Sequence, residues 1–170
     1  MKSWKALFFV IVCLFQVNAW AAPKFMEWDI QQTQEKWNGF AKDFLPNFQI
    51  SECESAGAKN DREGFNCSFV DAEGAGLIVS TLNGKTEFLW LLYNTDSSSL
   101  ISPTDVWRAP ALLTKMARNV PYGDHISFVK KIVFARNKGD KEVCEVDTQS
   151  DSKVCGDKTS TGFEFTIIKN

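Results

Sequence analysis

GLIVSTLNGKTEFLWLLYN, residues 76–94, decides the fold. Two apolar runs meet at Asn83-Gly84. Asn-Gly tolerates the positive φ of a two-residue type I′ turn, so the pair predicts a tight antiparallel hairpin. A regular ladder from that turn pairs Val79 with Phe88 and Leu77 with Trp90 on one face. Ile78 and Leu89 then lie on the other face. The run FLWLLY, residues 88–93, is apolar on both faces. Such a strand is central and covered twice, or it turns its outer face to a partner. The covered central strand is the expectation.

Working outward, two further hairpins are marked by cysteines. FQISECES and GFNCSFV alternate apolar and polar residues and flank the turn-rich GAKNDREG. A hairpin centred on Asn60 sets Cys53 opposite Cys67. EVCEV and SKVCG flank DTQSDS, which sets Cys144 opposite Cys155. Four cysteines permit three pairings, and local patterning favours Cys53–Cys67 and Cys144–Cys155. Each closes a loop of roughly 12 to 15 residues, worth on the order of 3 kcal/mol in the chain-entropy model. Zinc would want Cys-x-x-Cys spacing or paired histidines, whereas His125 is the one histidine in the chain. No metal and no cofactor are expected.

The remaining segments supply helices and closing strands. In DIQQTQEKWNGFAKDFLPNF, Ile30, Trp37, Phe40, Ala41 and Phe44 recur at helical spacing. Asp29 and Gln32 form a capping pair, and Pro46 stops the helix near Phe44. A second helix is predicted after Ser102-Pro103, with Val106, Ala109, Leu113, Met116, Ala117 and Val120 as its buried stripe. Pro110 interrupts that stripe, so a short turn, a kink and a main helix over 110–119 are expected. HISFVKKIVFAR, residues 125–136, reads as a strand, although Lys130 would sit on its apolar face. GFEFTIIK closes the chain with Phe163, Phe165 and Ile167 inward. The class is α+β: one domain over residues 22–170, with an antiparallel sheet of about six to eight strands packed with two helices. The order is α-β-β-β-β-α-β-β-β, with an eighth strand optional.

The N-terminus predicts the compartment. Lys2 and Lys5 precede an apolar run from Ala6 to Phe15, then Ala19-Trp20-Ala21. That order is a secretory signal peptide over residues 1–21, with cleavage after Ala21. The run is shorter than the about 20 residues a membrane span needs. Cleavage removes two lysines and no acids, taking the net charge from −2 to −4. A mildly acidic chain of mixed charge does not fit nucleic-acid binding. The expected location is periplasmic or secreted, with no membrane attachment after cleavage.

Catalytic patterns are weak. Asp124, His125 and Ser127 are neighbours in sequence, but adjacent strand residues point to opposite faces. Ser97, Ser98 and Ser99 read as loop. Glu52/Glu54 and Asp71/Glu73 share faces at strand spacing, most simply solvated ones. Asp147 and Asp151 echo a calcium loop, but Ser152 stands where Gly belongs and Lys158 where a bidentate Glu belongs. Trp107 falls off the second helix's stripe beside Arg108, a pairing that interfaces favour.

These readings lead to an exported, non-catalytic protein that binds and occludes another protein. An inhibitor of a cell-wall enzyme and an immunity protein against a delivered toxin both fit. Candidate partner-binding residues are Trp107, Arg108, Lys59, Asp61, Arg62 and Asp151. A carrier of a lipid or other apolar ligand in a Phe/Trp-rich cavity is the alternative, and an enzyme without a readable motif is the second.

Overall fold

The computed structural model describes residues 27–94, 105–118, 130, 142–147, 152–158 and 162–169. Helix α1 is Ile30–Phe44, followed by a 3-10 turn at Pro46–Phe48. Four strands follow: β1 Ile50–Lys59, β2 Arg62–Phe69, β3 Ala75–Leu82 and β4 Lys85–Asn94. Helix α2, Asp105–Arg118, precedes β5 Glu142–Asp147, β6 Ser152–Lys158 and β7 Gly162–Lys169. These strands form one antiparallel sheet of seven in the order β1-β2-β3-β4-β7-β6-β5. Two meanders therefore join where β4 pairs with β7, at Leu89–Ile167 and Leu91–Phe165. Helix α2 sits between the meanders in sequence, which lets β7 return to the exposed flank of β4. The α+β class, the two helices and the element order match the sequence reading.

Both predicted disulfides are formed, and each staples one edge of the sheet. Cys53 pairs with Cys67 across β1–β2, and Cys144 with Cys155 across β5–β6. In each, the two cysteines are directly opposed in the ladder, with Cα atoms 4.0 Å apart. The first pairing depends on a bulge. The turn sets Lys59 opposite Arg62, and a regular ladder from there would bring Cys53 to Ser68. Ala56 is an extra residue between Ser55 and Gly57, and it shifts the register so that Cys53 meets Cys67.

A second bulge corrects the expected β3–β4 pairing. The ladder begins as predicted, Leu82 with Lys85 and Thr81 with Thr86, but Ser80 then pairs with Phe88. Glu87 is the extra residue, and every later β4 side chain changes face. Val79 thus meets Leu89, Leu77 meets Leu91, and Ile78 meets Trp90. Leu77, Val79, Leu89 and Leu91 are all buried on the helix side. Burying each contributes roughly 1.5–3 kcal/mol. Without the bulge, Phe88 and Trp90 would have to fit beneath the helices.

Helix α1 starts as the sequence specifies. The Asp29 carboxylate accepts from the Gln32 N–H at 2.8 Å, and the Gln32 side chain accepts from the Asp29 N–H at 3.1 Å. Its inward face buries Thr33, Trp37 and Ala41. Trp37 donates its indole N–H to the Phe48 carbonyl at 2.6 Å and stacks near Phe69, centroids 5.8 Å apart. Asn38 works as a short piece of strand. Its amide donates to Ile50 O at 2.9 Å and accepts from Ile50 N–H at 2.6 Å. Phe44 departs from the predicted buried stripe and is 37% exposed, because the helix ends there and Leu45 turns inward instead. The Lys115 ammonium covers the outer aromatics, 4.7 Å from the Phe40 centroid and 5.2 Å from Phe44.

Helix α2 corrects two expectations. It runs unbroken through Pro110 rather than starting there. It is also covered on more than one side: Ala111, Leu112 and Thr114 are buried along with the predicted Ala109, Leu113 and Met116. The Thr114 hydroxyl is satisfied by donating to Ala111 O at 2.9 Å. Proline's lost hydrogen bond is a local cost, and burial of the surrounding apolar turn outweighs it. The strand expected over 125–136 lies outside the described residues except for Lys130, which is helical and exposed. Residues 1–21, expected to be a signal peptide, Ser102, Pro103 and the side chain of Phe163 also lie outside the described residues.

Candidate functional site

Antiparallel pairing sends alternate hairpin turns, β1–β2 and β3–β4, to one end of the sheet. Strand β1 ends at Lys59 and β2 begins at Arg62; β3 ends at Leu82 and β4 begins at Lys85. Phe88 pairs with Ile168, and Lys169 pairs with Ser152, which itself pairs with Asp147. The β5–β6 connection, residues 148–151, is therefore anchored at that same end.

Two of these turns are tied together. Asn60 and Asp61 have φ of 52° and 62°, and Asn83 and Gly84 have 52° and 72°. Both pairs thus take the left-handed backbone of type I′ turns, which Asn, Asp and Gly adopt most readily. The Asn83 N–H donates to the Asp61 carbonyl at 2.8 Å, so one tip braces the other. Arg62 reaches across β3 to the bulged Glu87. Its Nε donates to Oε1 at 2.7 Å and its Nη2 to Oε2 at 3.4 Å. Ser80 Oγ donates to the same carboxylate at 3.4 Å. The Arg62 side chain remains 62% exposed. Its pKa is raised further, first by the hydrogen bond to Glu87 and then by that carboxylate's charge, with burial opposing slightly. A raised cation pKa stabilises the fold below the unfolded value and fades only as pH climbs through the folded one. The pair therefore brings no loss of stability in the neutral range through Arg62.

The surface between the tips is shallow and open. An open depression of about 650 Å³ lies beside Gly57, Lys59, Asn60 and Arg62. A smaller one of about 270 Å³ separates the turns, lined by Asp61, Arg62, Glu63, Asn83 and Gly84. Charged side chains and turn backbone converge there on a braced platform. Such a surface suits recognition of another protein's polar surface, where little ordering entropy remains to be lost.

Lys59, Asp61 and Arg62 lie together at the β1–β2 turn. Asp151 lies outside the described residues, in the connection anchored at the same end. Arg108 is exposed on α2, a separate element, and Trp107 lies in α2 with its side chain outside the described set. Glu87 and Asn83 were not read as site residues. Asn83 was visible only as a turn former, and Glu87 matters through a bulge that periodicity does not reveal.

The other chemical candidates are dispersed. Glu52 and Glu54 are exposed along β1, whereas Asp71 and Glu73 lie in the turn after β2 rather than on a strand. His125, Asp124, Ser127 and Ser97–Ser99 lie outside the described residues. Register adds a pair the sequence did not suggest: Asp157 stands directly opposite Glu164, and Glu164 accepts from the Trp90 indole at 3.1 Å. Among the described residues, no three His, Cys, Asp or Glu side chains gather as a metal site. Among them also, no helix is long and apolar enough to cross a membrane. Comparison with protein-family models, with curated proteins and with solved structures finds no match to this chain.

Proposed function

We propose that this chain is an exported binding protein that uses the turn end of its sheet to cover the active or working surface of a partner protein. The braced pair of turns carries the reading: Asn83 holds Asp61, Glu87 holds Arg62, and the charged tips remain exposed. Ordered, charged loops on a rigid sheet are how inhibitors present themselves to enzymes. Two disulfides at the sheet edges suit an oxidising compartment, and the predicted signal peptide supports export to the periplasm or beyond. Within this reading the partner is a cell-wall enzyme or a delivered toxin.

The test is native mass spectrometry of the mature chain, tagged and recovered without reduction from its own host. A stoichiometric protein companion is expected, and Lys59→Glu combined with Asp61→Lys is expected to release it. A companion that survives this change moves the site elsewhere. A chain carrying lipid-sized mass and no protein overturns the reading in favour of a carrier.

A further inference from the structure

Asparagine followed by glycine occurs twice in the chain, at Asn38-Gly39 and at Asn83-Gly84. The dipeptide is chemically labile. A glycine backbone nitrogen has no Cβ beside it, so it reaches the preceding side-chain carbonyl carbon with little hindrance. The fold treats the two pairs differently. The Asn38 side chain is held at both ends, donating to Ile50 O at 2.9 Å and accepting from Ile50 N–H at 2.6 Å. Gly39 lies inside α1, where its N–H donates into the helical ladder. Asn83 and Gly84 instead form an exposed turn tip between Leu82 and Lys85. Among the described residues, neither the Asn83 side chain nor the Gly84 N–H has a hydrogen-bond partner. Beyond its chain neighbours, no heavy atom lies within 4 Å of where a Gly84 Cβ would stand, so solvent reaches this backbone.

We propose that Asn83 is a site of spontaneous deamidation and that the fold protects Asn38 from the same reaction. The Gly84 nitrogen forms a bond to Asn83 Cγ and gives its proton to water, and the side-chain nitrogen leaves as ammonia. The resulting succinimide takes up water at one of its two carbonyl carbons and opens. Breaking the bond to the backbone carbonyl carbon leaves isoaspartate, and breaking the bond to Cγ leaves aspartate. The net change is water in and ammonia out, with no oxidant or reductant. Both products place a new carboxylate between the turns, where Asp61 and Glu63 already line the surface. Isoaspartate also adds a methylene to the main chain of a two-residue turn, which disrupts the paired φ values of 52° and 72°. The brace goes with it, because the Asn83 N–H that donates to the Asp61 carbonyl belongs to that turn. Any effect on a partner rests on the turn end being the binding surface, whereas the modification does not.

Proteolytic mapping by mass spectrometry tests this on the unreduced mature chain held in neutral buffer for days. Conversion replaces a side-chain NH2 by OH, and the mass of each peptide reports it. Asn83 is expected to convert about tenfold or more faster than Asn38, because a turn tip opens far more readily than a helix interior. In the reduced, urea-unfolded chain the two are expected to convert at similar rates, which assigns the difference to the fold. Amide exchange at residue 83 is expected to rise in the isoaspartate fraction while the β3–β4 ladder stays protected. Folded-state conversion at Asn83 no faster than at Asn38 overturns the proposal. So does an Asn83 that stays intact in the folded chain while the unfolded chain converts. Unchanged exchange at residue 83 after conversion overturns the loss of the brace.

Discussion

Thr33 and Thr86 are buried from opposite elements, α1 and β4, with their hydroxyl oxygens 2.8 Å apart. Each hydroxyl satisfies the other where water has no access. Removing one leaves the other stranded, and a stranded buried hydroxyl costs about 1–3 kcal/mol. Thr86→Val is therefore expected to lower unfolding free energy by that amount in urea titrations. Thr33→Val with Thr86→Val is expected to recover most of the loss, since both polar groups go and the shapes stay. The Trp28 carbonyl beside this pair accepts the Thr86 backbone N–H at 2.7 Å, so the entry to α1 is fastened to the start of β4. Thr33 was not legible as a core residue. Its hydroxyl marks it as surface until Thr86 is placed beside it.

Glu87 sets the facing of β4. The bulge keeps Thr86 inward and sends Phe88 outward, and Leu89 and Leu91 then reach the core. Deleting Glu87 would join Thr86 directly to Phe88 with the same two facings. The deletion variant is expected to fold with Leu89 and Leu91 still buried, losing the Arg62 ion pair and the local twist. Cross-strand NOEs between residues 79 and 89 would check this, and pairing of 79 with 88 would refute it. Inserting a residue between Phe88 and Leu89 is expected to destabilise the fold strongly, because it turns Leu89 and Leu91 outward and forces the larger Trp90 beneath the helices. The sequence marks the hairpin through Asn83-Gly84 and the period-2 alternation of β3. It does not mark the bulge, because β4 is apolar at every position from 88 to 92 and either facing satisfies the pattern.

At the scale of the molecule, the disulfides guard the two edges and the core holds the middle. The chain-entropy model assigns about 3 kcal/mol to a loop of this size. Replacing Cys53 and Cys67 by alanine, or Cys144 and Cys155, is expected to cost roughly that much each, read as a lower denaturant midpoint. Amide exchange in the reduced protein is expected to rise first in β1 and β5 and last in β3, β4 and β7. Uniform loss of protection across all seven strands would show that the edges do not open separately.

Local chemistry determined a good deal by itself. Turn residues placed the hairpins, Asp29 and Gln32 opened α1, and alternation set Cys144 opposite Cys155, whereas Cys53 reached Cys67 through the bulge at Ala56. These depend on neighbours within about a dozen residues, and the order of apolar and turn residues encodes such contacts directly. Only the tertiary structure decided the rest. Strand β7 pairs with β4 across more than seventy residues, the bulge at Glu87 selects which face of β4 meets the helices, and α2 is covered on sides its stripe does not show. Those outcomes follow from which apolar surfaces can be buried together at once, a competition among distant segments that no single segment records.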